Sequence, residues 1–229
     1  MTEDILFDVK KVLKSFSGHS FDHVERVLKT ALYIADKEGA DIDKEVVKLA
    51  ALLHDTDDYK FVGIEAAKKL TNARLIMQKY HTPSAVVTKV CDIILTMGYS
   101  NRMRGIYPVS KEGQIVSDAD MLDAMGSMAV VRTLEYAFAK KSKIFDKNIF
   151  PTHQITAEAY QKKADGTDTV INHFFDKLLK LKGLLFTDTA KILAQPRHQL
   201  MIDFLISFFN ENETSDWLDY LKNYLEANR

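Results

Sequence analysis

Apolar residues recur at the three-and-four spacing of an α-helix along nearly the whole chain. Near residues 4–16, Ile5, Leu6, Val9, Val12 and Leu13 share one face, and Ser17-Gly18 ends the run. Near 20–38, Val24, Val27, Leu28, Ala31, Ile34 and Ala35 form a core-facing stripe, with Ser20 as N-cap and Gly39 where a terminating glycine belongs. Near 43–54, Asp43 caps a segment that is apolar almost all round, which predicts burial. Further helices are predicted near 62–79, from Thr82-Pro83 to Gly98, near 112–140 as one long helix or a kinked pair, and near 168–182, 188–210 and 215–228. Pro196 is expected to kink or split the helix it lies in. Residues 99–111 carry no stripe and read as a loop with three positive charges, and 141–166 are mixed, with Pro151 and Gly166 as breakers. There is no internal repeat and no flexible linker. The expectation is an all-α, single-domain helical bundle of about ten helices spanning residues 1–229.

Composition supports that reading and removes several functions. Nine Gly and four Pro are too few to punctuate a strand-and-turn architecture. With 46% apolar and 10% aromatic residues the chain can fill a core, so disorder is disfavoured. The single Cys91 excludes a disulfide scaffold, and its apolar surroundings make it an inert core thiol. Lys and Arg number 31 against 32 Asp and Glu, so a nucleic-acid polymer is not the expected partner. No run reaches the roughly 18 apolar residues of a membrane span, and Met1-Thr2-Glu3-Asp4 lacks the basic start of a secretory signal. The expected setting is cytoplasmic, without a membrane. Any chemistry must lie in local constellations.

One such constellation is His54-Asp55, directly after the apolar run Leu49-Ala50-Ala51-Leu52-Leu53. A buried helix that ends in an imidazole and a carboxylate needs something to compensate the charge, and a metal ion is one candidate. His23 lies on or beside the core stripe of its helix, and Ser117-Asp118-Ala119-Asp120-Met121-Leu122-Asp123 brings carboxylates among apolar residues. Imidazole nitrogens with carboxylate oxygens suit a divalent first-row ion. Each residue also has a plainer reading, as a satisfied core histidine or a helix cap with a local ion pair.

His23, then His54-Asp55, then a later Asp resembles the H…HD…D pattern of the HD-domain metal-dependent phosphohydrolases. The flanks are similar too: Ser20-Phe21-Asp22-His23-Val24-Glu25-Arg26-Val27, the run into His54-Asp55, and Asp118-Ala119-Asp120-Met121-Leu122-Asp123-Ala124. Asp58-Tyr59-Lys60-Phe61 and the segment from Ile171 to Leu181 resemble a small stand-alone bacterial-type branch, some of whose members are nucleotide pyrophosphohydrolases. The resemblance implies a metal-binding core at about 15–135, with the helices of 168–229 packing on it. It implies His23, His54, Asp55 and Asp120 as ligands of one divalent ion. Mn²⁺ is the first choice, with Mg²⁺, Fe²⁺, Zn²⁺, Co²⁺ or Ni²⁺ as alternatives. Asp118 competes for the last position. Two residues apart on a helix, the two carboxylates point about 200° from each other, and helical phase does not choose between them. Asp118 or Asp123 is the candidate to orient a histidine ligand.

A metal of this kind gives an activated water and a Lewis acid for phosphate ester cleavage. Asp58 is the candidate to orient the water or shuttle a proton, and Lys60 to hold a phosphate. Arg26, Arg102, Arg104 and Lys111 are candidates for further phosphate contacts. The expected substrate is small and phosphorylated, most simply a nucleotide. Two other functions remain open: a sensor that keeps metal and nucleotide without turnover, and a di-metal hydrolase or oxygenase using His81 or another histidine. His173 and Lys177 share a face that also packs Phe174 and Leu178. The stripe Trp217, Leu218, Leu221, Tyr224 and Leu225 either docks on the body or forms a homodimer contact. Lys140–Lys147 reads as a solvated charge run, a lid or a partner surface.

Overall fold

The computed structural model describes residues 2–13, 21–151 and 169–228. The side chains of Thr2, Glu3, Lys60 and Phe61 lie outside that description, as do the expected Ser17-Gly18 stop, the Ser20 cap and the Gly166 breaker. Every regular element among the described residues is helical, as the apolar periodicity predicts. Among them no helix is long and apolar enough to cross a membrane. The chain divides into two compact units, residues 1–123 with 185–192, and residues 124–184 with 193–229.

The first unit contains α1 (Thr2–Leu13), α2 (Phe21–Glu38) and α3 (Lys44–Leu53). In α1, Ile5, Val9 and Leu13 are buried; in α2 the buried side chains are Val24, Val27, Ala31, Ile34 and Ala35, together with His23. Asp43 caps α3 by accepting the Val46 N–H, and every residue from Leu49 to Leu53 is buried. Removing a Leu, Ile or Val side chain of this kind from water stabilises by roughly 1.5–3 kcal/mol each, before the entropy of ordering it. Helices α2, α3 and α9 (Lys111–Asp123) pack on one another, and α7 (Ser84–Thr96) packs on α3 and α9. That arrangement brings the ends of three helices together.

The segment expected as one helix near 62–79 is instead three: α4 (Tyr59–Val62), α5 (Ile64–Lys69) and α6 (Thr71–Lys79). The breaks are Gly63 and Leu70, both at positive φ (80° and 51°). At the start of α7, Pro83 takes the N-cap position, one residue earlier in the helix frame than expected, and makes no side-chain cap bond. Residues 99–111, expected as a loop, begin with the short helix α8 (Tyr99–Met103). One and a half turns are too few to show a stripe, which is why periodicity missed it. The expected long helix or kinked pair near 112–140 is a pair, α9 and α10 (Ser127–Lys140). Gly126, at φ 72° and ψ −146°, makes the break in a backbone region that other residues avoid.

In the second unit, the helix expected near 168–182 is α11 (Val170–Asp176) followed by a 3₁₀ segment, Leu178–Leu184. Pro196 lies inside α12 (Asp188–Glu211), which is one helix, so the expected split does not occur. The carbonyl that the proline leaves without its helical partner belongs to Ile192, a residue that is 66% exposed. In α13 (Ser215–Ala227) the expected amphipathic stripe buries Trp217 and Leu221. Trp217 stacks on Phe150 at 4.4 Å and donates its indole N–H to the Lys147 carbonyl, so this stripe docks within its own unit. Phe145 packs edge-on to the same indole, which anchors the basic run around it.

Candidate metal centre

His54 is the residue that ends α3, and Asp55 follows it in the turn. Two further side chains shape that turn. Thr56 donates its hydroxyl to the Leu53 carbonyl. Buried Asp57 accepts the Asn72 and Ala73 N–H groups at 2.9 and 2.8 Å. The N-cap residue of α6, Leu70, offers no side-chain bond, so Asp57 supplies from a distance the cap that α6 lacks. No local pattern announces this pairing, because cap and helix are 15 and 16 residues apart.

His23 projects from α2 and Asp120 from α9 to meet the turn. Among the described residues, His23, His54 and Asp120 form the group whose donor atoms all lie within 4.8 Å of one another. The His23 and His54 Nε2 atoms are 3.2 Å apart. Asp120 Oδ1 is 3.4 Å from the first and 3.9 Å from the second. Asp55 joins them, with Oδ2 3.6 Å from His23 Nε2 and Oδ1 3.5 Å from His54 Nε2. The histidine side chains are 5% and 4% exposed, against 15% for Asp55 and 28% for Asp120. The imidazoles therefore floor the site and the carboxylates line its opening.

The tautomers follow from the other ring nitrogens. His54 Nδ1 lies 2.8 Å from the Ala51 carbonyl, which only accepts, so Nδ1–H donates. His23 Nδ1 lies 2.6 Å from Asp123 Oδ2 and donates to that carboxylate. Both Nε2 atoms then present lone pairs to each other and to two carboxylates. Such a set repels itself unless a cation lies between. First-row divalent ions bind N and O donors at about 2.0–2.2 Å, which places neighbouring donors ~3 Å apart and opposite ones ~4.3 Å apart. The observed separations fall between these limits, so the donor set fits an ion of that size. Without metal, a proton takes the cation's place. Burial lowers the His23 pKa, but hydrogen bonds to Asp120 and Asp123 and the charge of Asp55 outweigh it and raise it to about 9. Burial and the Asp55 charge oppose ionisation of Asp120, yet the two histidines hold it below the usual carboxylate range.

Asp118 is the competitor for Asp120, and the structure separates them. Asp118 is fully buried. It accepts the Phe186 and Thr187 N–H groups and the Thr187 hydroxyl, at 2.7 to 3.1 Å. It thus anchors the start of α12 and is not part of the donor group. Arg26, expected on a phosphate, instead donates Nε and Nη2 to Asp123 at 2.6 and 3.0 Å. Arg102, on α8, stacks on the rings of Phe186 and Tyr107 at 4.0 and 4.8 Å. Arg104 is the exposed residue that ends α8, and Lys111 pairs with Asp41 at 2.7 Å. Asp58 is half-buried beside Asp55, and its carbonyl receives the Val62 N–H of α4. Lys60 lies in α4, with its side chain outside the described residues. His81 occupies a turn at φ 53° and is not in the donor group, and His173 and Lys177 lie at α11 in the other unit. Cys91 is buried, and burial pushes its thiol pKa up, as expected of an inert thiol.

The sequence model of the HD domain matches residues 20–125. The protein YpgQ of Bacillus subtilis is 34% identical over 191 residues, 82% of each chain. The crystal structure of an HD-superfamily hydrolase from Bacillus thuringiensis superposes with a TM-score of 0.70 at 32% identity, covering 93% of this chain and 96% of that one. The crystal structure of Bacillus subtilis YpgQ in complex with ADP superposes with a TM-score of 0.67 at 27% identity, covering 92% and 97%.

Proposed function

This chain belongs to the HD-domain superfamily, and from that premise we propose that it is a metal-dependent phosphohydrolase acting on a nucleotide. The observation that carries the reading is the meeting of two Nε2 lone pairs with the Asp55 and Asp120 carboxylates in a site that opens on the carboxylate side. The ADP bound to YpgQ supports a nucleotide as the substrate class.

In this reading His23, His54, Asp55 and Asp120 hold one divalent ion, and Mn²⁺ suits the mixed nitrogen and oxygen donors. The bound ion supplies a water of lowered pKa and polarises a phosphoryl oxygen. The chain does the rest. His54 is held by the Ala51 carbonyl with its Nε2 lone pair inward. Asp58, three residues beyond Asp55, positions the water and accepts its proton. Lys60 and the positive residues Arg102 and Arg104 neutralise the phosphates of the substrate. The test is to strip the protein of metal, restore single divalent ions and measure phosphate and pyrophosphate release across nucleotides and phosphomonoesters. Metal-dependent release from nucleotides is expected. Binding of nucleotide without release under any ion would favour a sensor over an enzyme.

A further inference from the structure

We propose that Arg26 is a positioning residue of the metal centre, acting on His23 through Asp123; the proposal rests on the reading that His23 holds the ion. His23 and Arg26 are one helical turn apart on α2, so their side chains leave the same face. Asp123, at the end of α9, meets both. Its Oδ2 accepts from His23 Nδ1 at 2.6 Å and from Arg26 Nη2 at 3.0 Å, and its Oδ1 accepts Arg26 Nε at 2.6 Å.

This is the two-pronged guanidinium–carboxylate arrangement, which fixes a plane as well as a distance. A carboxylate held at both oxygens cannot turn about its own axis. The third bond, to His23 Nδ1, then fixes the imidazole ring and its tautomer, so that Nε2 faces His54 and Asp120. Asp123 is 6% exposed and His23 5%, so water is poorly placed to take over either bond. A buried carboxylate also needs compensation, and Arg26, 35% exposed, brings a permanent charge from the solvent side. Lysine would give a point charge without the fork. The same geometry explains why Arg26 is not the phosphate clamp that its place in the sequence suggests: its Nε and one terminal nitrogen are already used on Asp123.

Residues that orient a ligand in this way change metal affinity by about 10–100-fold when removed. The experiment is a Mn²⁺ titration of the full chain without substrate, for wild type, Arg26→Met, Arg26→Lys and Asp123→Asn. Arg26→Met is expected to weaken Mn²⁺ binding about 10–100-fold, with Arg26→Lys between it and wild type. Adding Arg26→Met to Asp123→Asn is expected to cost nothing further, because both act through one chain of contacts. At saturating Mn²⁺ the KM for nucleotide is expected to stay at the wild-type value. Wild-type Mn²⁺ affinity in Arg26→Met together with a raised KM would overturn the proposal and make Arg26 a phosphate-binding residue. Histidine ring nitrogen spectra of the metal-free protein give a second reading that needs neither metal nor substrate. The His23 Nδ1–H signal is expected in wild type and in Arg26→Lys, and broadened or lost to exchange with water in Arg26→Met. An unchanged signal in Arg26→Met overturns the proposal. Wild type that binds no divalent ion overturns the functional reading, while the spectra still decide whether Arg26 holds the ring.

Discussion

Replacing Asp118 with alanine is expected to cost the fold several kcal/mol while leaving the metal site's donors in place. The carboxylate is fully buried and receives three donors, the Phe186 and Thr187 N–H groups and the Thr187 hydroxyl. Thr187 in turn accepts the Ala190 N–H, so Asp118 sets the residue that caps the start of α12. A hydrogen bond to a charged group contributes roughly 1.5–3 kcal/mol, and a buried donor left unmatched costs about 1–3 kcal/mol. Two effects reduce the sum. Phe186 and Thr187 are only half-buried, so their released N–H groups can find water. Burial also penalises the carboxylate itself, which is why its pKa is raised despite the three donors and the nearby Arg102 charge. The net loss for Asp118→Ala is about 4 kcal/mol, a large share of the ~5–15 kcal/mol of a typical domain. In urea this lowers the midpoint by about 1.3–2 M if the slope is ~2–3 kcal/mol/M. The companion, Asp120→Ala, is expected to change stability by less than about 1 kcal/mol and to abolish Mn²⁺ binding, because Asp120 faces the donor group and not the fold. Folded Asp118→Ala that has lost its metal, or a midpoint at the wild-type value, would refute the separation of the two carboxylates.

Asp57→Ala is expected to destabilise by about 1–2 kcal/mol, seen in thermal or urea unfolding, since it removes the cap of α6. It should weaken Mn²⁺ binding as well, because the capped turn also carries His54 and Asp55. His198 gives a pH dependence elsewhere in the chain. Burial, aided by the Lys182 charge, holds its pKa below the ordinary 6.5, so the unfolded chain takes up that proton first. Stability from the neutral ring is complete above about pH 6.5 and falls as pH drops through the folded value. His198→Leu is therefore expected to show a shallower loss of Tm between pH 7 and 5 than wild type.

The candidate metal ligands are legible because each lies on or just beyond a strongly periodic helix: His23 in α2, His54-Asp55 at the end of α3, Asp120 in α9. The choice between Asp118 and Asp120 was not legible from phase. Helix α9 is buried on nearly every side, from Gly113 through Asp123, so its apolar pattern points nowhere in particular. Gly113 shows how close its neighbours come, for a Cβ there would lie 2.5 Å from Pro108 Cβ. The roles of Arg26 and Asp118 depend on partners 97 and 68 residues away, and no local spacing encodes such a pair. Charge alone suggests phosphate for Arg26, whereas packing gives it the Asp123 carboxylate; the rings of Phe186 and Tyr107 under the Arg102 guanidinium have no local signal either. Pro196 reads as a kink or a split, and α12 runs on through it; the residue whose carbonyl it leaves without its helical partner, Ile192, is exposed.

A crystal structure of the Mn²⁺-loaded chain, with the ion located by anomalous scattering, tests the donor set directly. One ion is expected, bonded to His23 Nε2, His54 Nε2, Asp55 and Asp120, with Asp118 still on Phe186 and Thr187. An ion held elsewhere, a second ion bound through His81, or no ion at saturating Mn²⁺ would contradict it.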